Sequence, residues 1–485
     1  MNRNSLTTAV IAGIAGVAGI ANLANAVNIN PDGLGQVLIY PYYTTNAGQA
    51  TLLSVVNTTA VGKAVKVRFL EGYNSREVLD FNLFLSKYDV WTAEVFKLSD
   101  AGVGGDGAAI FTTDNSCTYP SFSQGPLGNG AMYEPFKNFA YQDDGGPTDD
   151  TRTLEGYFEM ISMADAVVDS NLEFDITHVG GVPSDCGSAE SDLLGDSTYT
   201  APTSGLFGAA SVVNVAQGTF YAYNADAIDG FTYVPLVTPS GSLDPSLLAV
   251  NDPASLTTAT SYVFNDGALL TSTWPSIDPN SRPIDAVSSL FDAANIYNEY
   301  EQSAGAVGTD WVVTFPTKRF YVDAATYGFT TVIPPFEELF SQTTDGKSCT
   351  ILGIGVYDRE ERTTSTPTCG FSPCPPGQPP SSICHEVNVI TFGPSGTASI
   401  LGSTTLNQNI ATPFGAGWVN LTLTGNGHDL PAASNGNIFH GLPVTGFQAR
   451  NFINGQVSPG VLANYSGVYK HRISRDCTNV AGACS

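Results

Sequence analysis

From residue 36 to about residue 97, apolar side chains fall at every second position, the spacing of strands that bury one face. Five segments, 36–43, 51–57, 64–71, 77–85 and 89–96, are rich in Val, Leu, Phe and Tyr and are separated by Asn, Gly, Thr or Ser. In Val65-Lys66-Val67-Arg68-Phe69 the alternation sends Val65, Val67 and Phe69 to one side and Lys66 and Arg68 to the other. This predicts one buried face and one wet face. Five short antiparallel strands at a spacing of roughly 12 residues describe an immunoglobulin-like β-sandwich over residues 27–100, with Trp91 in its core.

The β pattern continues at 156–168, 173–179, 211–223, 232–237, 310–315 and 319–323, and again at 386–391, 397–401, 417–423, 440–449 and 460–471. Residues 284–301 break it, with Ile284, Val287, Leu290, Phe291, Ala294 and Tyr297 at helical spacing and Asp285 in the first turn, where the macrodipole favours an acid. Residues 367–380 carry six prolines around two cysteines, which rules out a central strand and predicts a disulfide-pinned loop. The predicted fold class is therefore all-β, built as tandem antiparallel β-sandwich units with one short helix and long disulfide-pinned loops. The predicted divisions are a leader over 1–26, the first sandwich over 27–100, a larger β-rich domain over 101–345 and a C-terminal β-rich segment over 346–485. That last segment is either separate or packed into the domain before it.

The leader follows from a single charge, Arg3, an apolar run over 9–23, and Ala24-Asn25-Ala26, which supply the small residues signal peptidase requires. Maturation at Val27 is expected. The run is too short and too rich in Ala and Gly for a permanent span, and no later segment offers about 18 apolar residues without a charge. The expected destination is the cell surface or the extracellular space, with the periplasm as the alternative. With 45 acidic against 19 basic residues, a net charge of −26, nucleic acid is excluded as a partner, because its binding draws on Lys and Arg. Eight cysteines, all beyond the leader, read as disulfides. Loop-closure probability favours neighbours: Cys117 with Cys186, Cys349 with Cys384, Cys369 with Cys374, and Cys477 with Cys484. A zinc site at Cys369, Cys374, Cys384 and His385 lacks a matching second half.

Catalytic signatures are weak. Ser395 sits in Gly-Pro-Ser-Gly without the spacing of a nucleophile elbow, and His385-Glu386 lacks the second histidine of a zinc protease helix. A hydrolytic site assembled from distant residues would draw on Asp310, Glu337, His178 and His440. The paired acids Glu337-Glu338, Glu299 with Glu301, and Glu360-Glu361 give no sign of facing across a cleft. The better candidate is the acidic loop with Asp143, Asp144, Asp149 and Asp150, four carboxylates in the hard-oxygen surroundings that calcium takes. Calcium is thus the one cofactor the sequence offers. Tyr40, Tyr42 and Tyr43 form an aromatic concentration of the kind that stacks on sugar rings, though strand packing uses the same residues.

Gly35-Gln36-Val37-Leu38-Ile39-Tyr40-Pro41-Tyr42-Tyr43, residues 64–91, residues 207–226, and Thr309-Asp310-Trp311-Val312-Val313-Thr314-Phe315-Pro316-Thr317-Lys318 together resemble a family of exported proteobacterial cell-surface proteins with no assigned activity. The resemblance implies a surface setting in a Gram-negative bacterium and brings no catalytic residue. The expected function is that of a structural or adhesive surface protein that assembles with itself or with other surface or matrix components. The alternatives are a carbohydrate- or calcium-binding module and an extracellular hydrolase.

Overall fold

All five N-terminal patterns form strands, Val37–Thr44, Ala50–Asn57, Lys63–Glu71, Glu77–Leu85 and Val90–Lys97. The computed structural model describes residues 26–195, 198–275, 282–341, 343–363, 382–425, 427–454 and 456–484. Residues 1–25 of the expected leader, and the proline-rich segment with the expected Cys369–Cys374 pair, lie outside them.

These five strands do not close on one another. The long strand Glu155–Ala166 inserts between Val37–Thr44 and Lys63–Glu71, and with Glu77–Leu85, Asp226–Asp229 and shorter pieces it makes an eight-stranded sheet. Ala50–Asn57 and Val90–Lys97 belong to a six-stranded sheet with Leu206–Asn214 and Thr219–Asn224. The first sandwich therefore runs well past residue 100, and its two sheets exceed the about seven to nine strands of an immunoglobulin domain. The all-β class holds. At Gly208 a Cβ would lie 1.8 Å from the Tyr40 hydroxyl, so only glycine lets that hydroxyl cross between the sheets to the Ser54 carbonyl.

A second pair of sheets follows. One has five strands, Asn407–Ala411, Val387–Gly393, Val307–Thr314, Thr445–Phe452 and Tyr465–Lys470, and the other has four, Gly353–Asp358, Ala416–Thr422, Asn295–Glu301 and Arg472–Ser474. The five-stranded sheet has no wet face at its centre. Trp311, Val313 and Ile390 pack toward the four-stranded sheet, while Val312, Val389 and Phe447 join the core of the first sandwich. Strands of the C-terminal segment thus contribute side chains to both cores.

Several local expectations are corrected. Lys66 and Arg68 are buried, not wet. Lys66 pairs with Asp80, and Arg68 pairs with Glu77 at 2.6 Å and with Glu159 at 2.9 Å. The cover is the segment expected to be a strand at 232–237, which instead crosses the sheet as irregular chain and continues to Pro245, whose carbonyl accepts from Arg68. The helix stops at Phe291, and Asn295–Glu301 is a strand that buries Ile296 and Tyr300. Residues 173–179 open in a helix, Asn171–Ile176, because the Ser170 hydroxyl accepts from the Glu173 amide, half of a capping box. Arg319–Val322 is also helical, a short apolar run in which periodicity cannot separate helix from strand. Residues 397–401 form a turn and loop. Among the described residues the disulfides are Cys117–Cys186, Cys349–Cys384 and Cys477–Cys484, bonds that an oxidising compartment sustains.

Candidate functional site

The acidic loop is folded around a cation of its own chain. Asp144 is buried and accepts from Arg152 Nη1 at 3.0 Å and Nη2 at 2.6 Å, from Asn74 at 2.7 Å and from the Gly146 amide at 2.9 Å. Burial alone would raise its carboxyl, but the hydrogen bonds and charge of Arg152 outweigh it and hold the group below the usual range. Arg152 also forks onto Glu71 and lies 4.4 Å over the Tyr141 ring. Asp149 caps the turn that follows by accepting from the Thr151 amide, Asp150 accepts from Asn138, and Asp143 points to solvent. The four carboxylates of the expected calcium site are therefore not convergent. Among the described residues no group of three or more His, Cys, Asp or Glu is placed to hold a metal ion.

The positions considered for hydrolysis lie apart. Asp310 is buried under Ser399, Thr391 and the Leu401 amide, and burial, opposed by those bonds, pushes it up to about 6. Glu337 Oε1 lies 2.9 Å from His428 Nε2. His178 meets Ser86 Oγ at 3.1 Å and Asp89 at 3.8 Å through the same nitrogen, Nδ1, so it cannot relay a proton from one to the other. His440 is different: Nδ1 lies 2.5 Å from Asp429 and Nε2 lies 2.7 Å from Thr478 Oγ1. That is the order of an acid–imidazole–hydroxyl chain. Thr478, however, sits mid-sheet, paired to Ile438 on one side and Ala483 on the other, which occupies the backbone that would form an oxyanion hole. Sequence spacing gave no way to connect Asp429 and Thr478 with His440.

The aromatic candidates are core. Trp91 is fully buried 5.8 Å from Phe81, Tyr40 stacks on Phe158, and Tyr42 donates to Glu155. Ser395 lies in a tight turn in which the Thr397 amide donates to the Pro394 carbonyl at 3.0 Å. Glu299 and Glu301 share Arg450, and Glu337 and Glu338 accept the amides of Ile351 and Cys349.

What remains open is the outer face of the six-stranded sheet. Register places Ser211 beside Leu52 and Leu52 beside Glu94, with Phe207 and Phe220 exposed on the flanking strands. A shallow groove of about 380 Å³ crosses it between Leu52, Thr92 and Ser211. Across the four strands from Val90–Lys97 to Thr219–Asn224, the outward positions hold one ionisable side chain, Glu94, whose carboxyl partial burial raises. The face is thus nearly free of charge on a strongly acidic chain. No protein-family model, curated protein or solved structure matches the chain.

Proposed function

We propose that the chain is an exported structural protein of the cell surface that associates with further copies of itself through the open face of its six-stranded sheet. The observation that carries this reading is the near-absence of charge on that face in a molecule of net charge −26, since like-charged copies can approach only where their charges are not opposed. The disulfides support a setting outside the cytoplasm. Light scattering over a concentration series tests it. The parent protein should pass from monomer to dimer or larger species, and L52E combined with F207E should stay monomeric. A parent that remains monomeric at high concentration and is recovered free in the medium, with none on cells, would sink the reading.

A second reading, an extracellular hydrolase, rests on the Asp429, His440 and Thr478 chain alone. Hydrolysis of p-nitrophenyl acetate that H440A abolishes would support it, and equal rates in parent and variant would end it.

A further inference from the structure

Where the two sandwiches meet, a cleft of about 360 Å³ opens between the hairpin strand Thr258–Asn265, the helix Ile284–Phe291 and the strands Thr445–Phe452 and Arg472–Ser474. Its volume lies within the range of small-molecule sites, about 300–1,000 Å³. The floor is apolar and buried, made by Val263, Leu290, Phe291 and Ile296, and the exposed Phe264 and Ile473 stand at the rim.

The polar groups on this cleft are unevenly satisfied. Asp226 is engaged by Thr445 and Lys470. His471 donates from Nε2 to the Val312 carbonyl at 2.9 Å, and burial pushes its imidazole down to about 4, so it is neutral. Arg475 spends Nη2 on the Leu290 carbonyl at 2.6 Å, but its Nε is buried with no acceptor. The acid that most influences it, Asp292, forms no ion pair with it; both Asp292 oxygens are buried without a donor, and burial raises the group to about 8 despite Arg475. An uncompensated guanidinium therefore stands beside an oily floor, an arrangement that costs free energy unless an anion completes it.

We propose that this cleft binds a small amphiphile with one anionic head, a free medium-chain carboxylate, with the chain laid on Leu290, Phe291 and Ile296 and the carboxylate on Arg475. Guanidinium and carboxylate match in geometry as well as charge. The site is independent of the open sheet face, so either assignment can fail without the other.

Calorimetry on the intact protein with decanoate, decanol and decyltrimethylammonium tests the idea. Decanoate should bind one per chain and at least about tenfold more tightly than the cationic analogue, the scale of one charge-assisted hydrogen bond. R475Q should weaken decanoate about tenfold and leave decanol unchanged. I473W, which fills the mouth from an exposed position, should block both. Equal affinity for the two head groups, no binding of decanoate, or undiminished binding by I473W would each overturn the proposal. Capture by phosphatidylglycerol vesicles without binding of free decanoate would also overturn it, reassigning the cleft to membrane lipid.

Discussion

The Ser466 hydroxyl closes both backbone groups of Phe220, accepting from its amide at 2.9 Å and donating to its carbonyl at 2.8 Å. Thr219–Asn224 is the edge of the six-stranded sheet, and an edge with free N–H and C=O groups is a template for further strands. Here a side chain from the far end of the sequence occupies that template. Association through this edge is obstructed at Phe220, which is why the self-association proposed above is assigned to the face. S466A should speed hydrogen exchange at the Phe220 amide and promote slow aggregation, while global stability drops by about 1 kcal/mol or less, the net worth of such bonds. Unchanged exchange at Phe220 would show that the edge is closed by something else.

Arg152 neutralises Glu71 and Asp144 in a buried setting. R152L should cost about 3–5 kcal/mol, because it takes from buried Glu71 the guanidinium that neutralises it and leaves Asp144 only the more distant Arg76, at 3.6 Å. Denaturant titration reads this directly. Chelator and calcium should leave the melting temperature of the parent unmoved, since Asp144 already has its cation; a rise with calcium would restore the loop as a metal site.

Burial raises Asp292 and Glu386 to about 8, the latter against the pull of Lys318 and Arg319. Between the ordinary carboxylate range near about 4 and pH 8, the folded chain holds protons the unfolded chain has released. Stability therefore falls as pH rises through that window, by ~1.4 kcal/mol per unit for each group. His385 and His471, pushed down by burial to about 3 and about 4, oppose the trend only below about 6.5, where the unfolded chain takes up protons they refuse. The urea midpoint should accordingly be lower at pH 8 than at pH 6.5. D292N should reduce that difference, leaving the share of Glu386, and a midpoint that rises with pH would contradict it.

Cys349–Cys384 spans 35 residues and Cys477–Cys484 only 7. In the chain-entropy model the wider loop contributes about 3–4 kcal/mol. The C349S/C384S pair should lower the melting temperature clearly and open the intervening loop to proteases, whereas C477S/C484S should affect the tail alone. Equal losses in the two double variants would point to native-state packing at Cys477 instead.

Strand positions were legible in the N-terminal third because Val, Phe and Leu alternate there without interruption, and Glu77–Leu85 falls where the alternation places it. Sheet membership was not legible. Nothing local tells Val37–Thr44 that its neighbour is Glu155–Ala166, more than a hundred residues on. The same blindness made Lys66 and Arg68 read as solvent-facing: alternation marks which residues share a side, and distant segments, the one reaching Pro245 and the helix that carries Arg319, decide that the side is dry. Helix Asn171–Ile176 did carry a signal, Ser170 three residues before Glu173, which β-like composition masked. Of the functional candidates, the acidic loop was visible as a charge run, but its internal cation was not. The apolar cleft and the bare sheet face arise only when strands far apart in sequence are assembled.

The doubly buried five-stranded sheet also ties the two ends of the chain together. Phe447 stacks on Tyr223 at 4.8 Å and meets Tyr42 edge-on, so residues near the start of the chain wait for a strand that begins at Thr445. Contacts of such sequence separation are costly to reach, because loop-closure entropy is lost before they reward it. The core of the first sandwich is therefore incomplete until the last strands of the chain have been made, and a chain kept open in that way would suit the export proposed above, which needs a polypeptide that can still be threaded through a narrow pore.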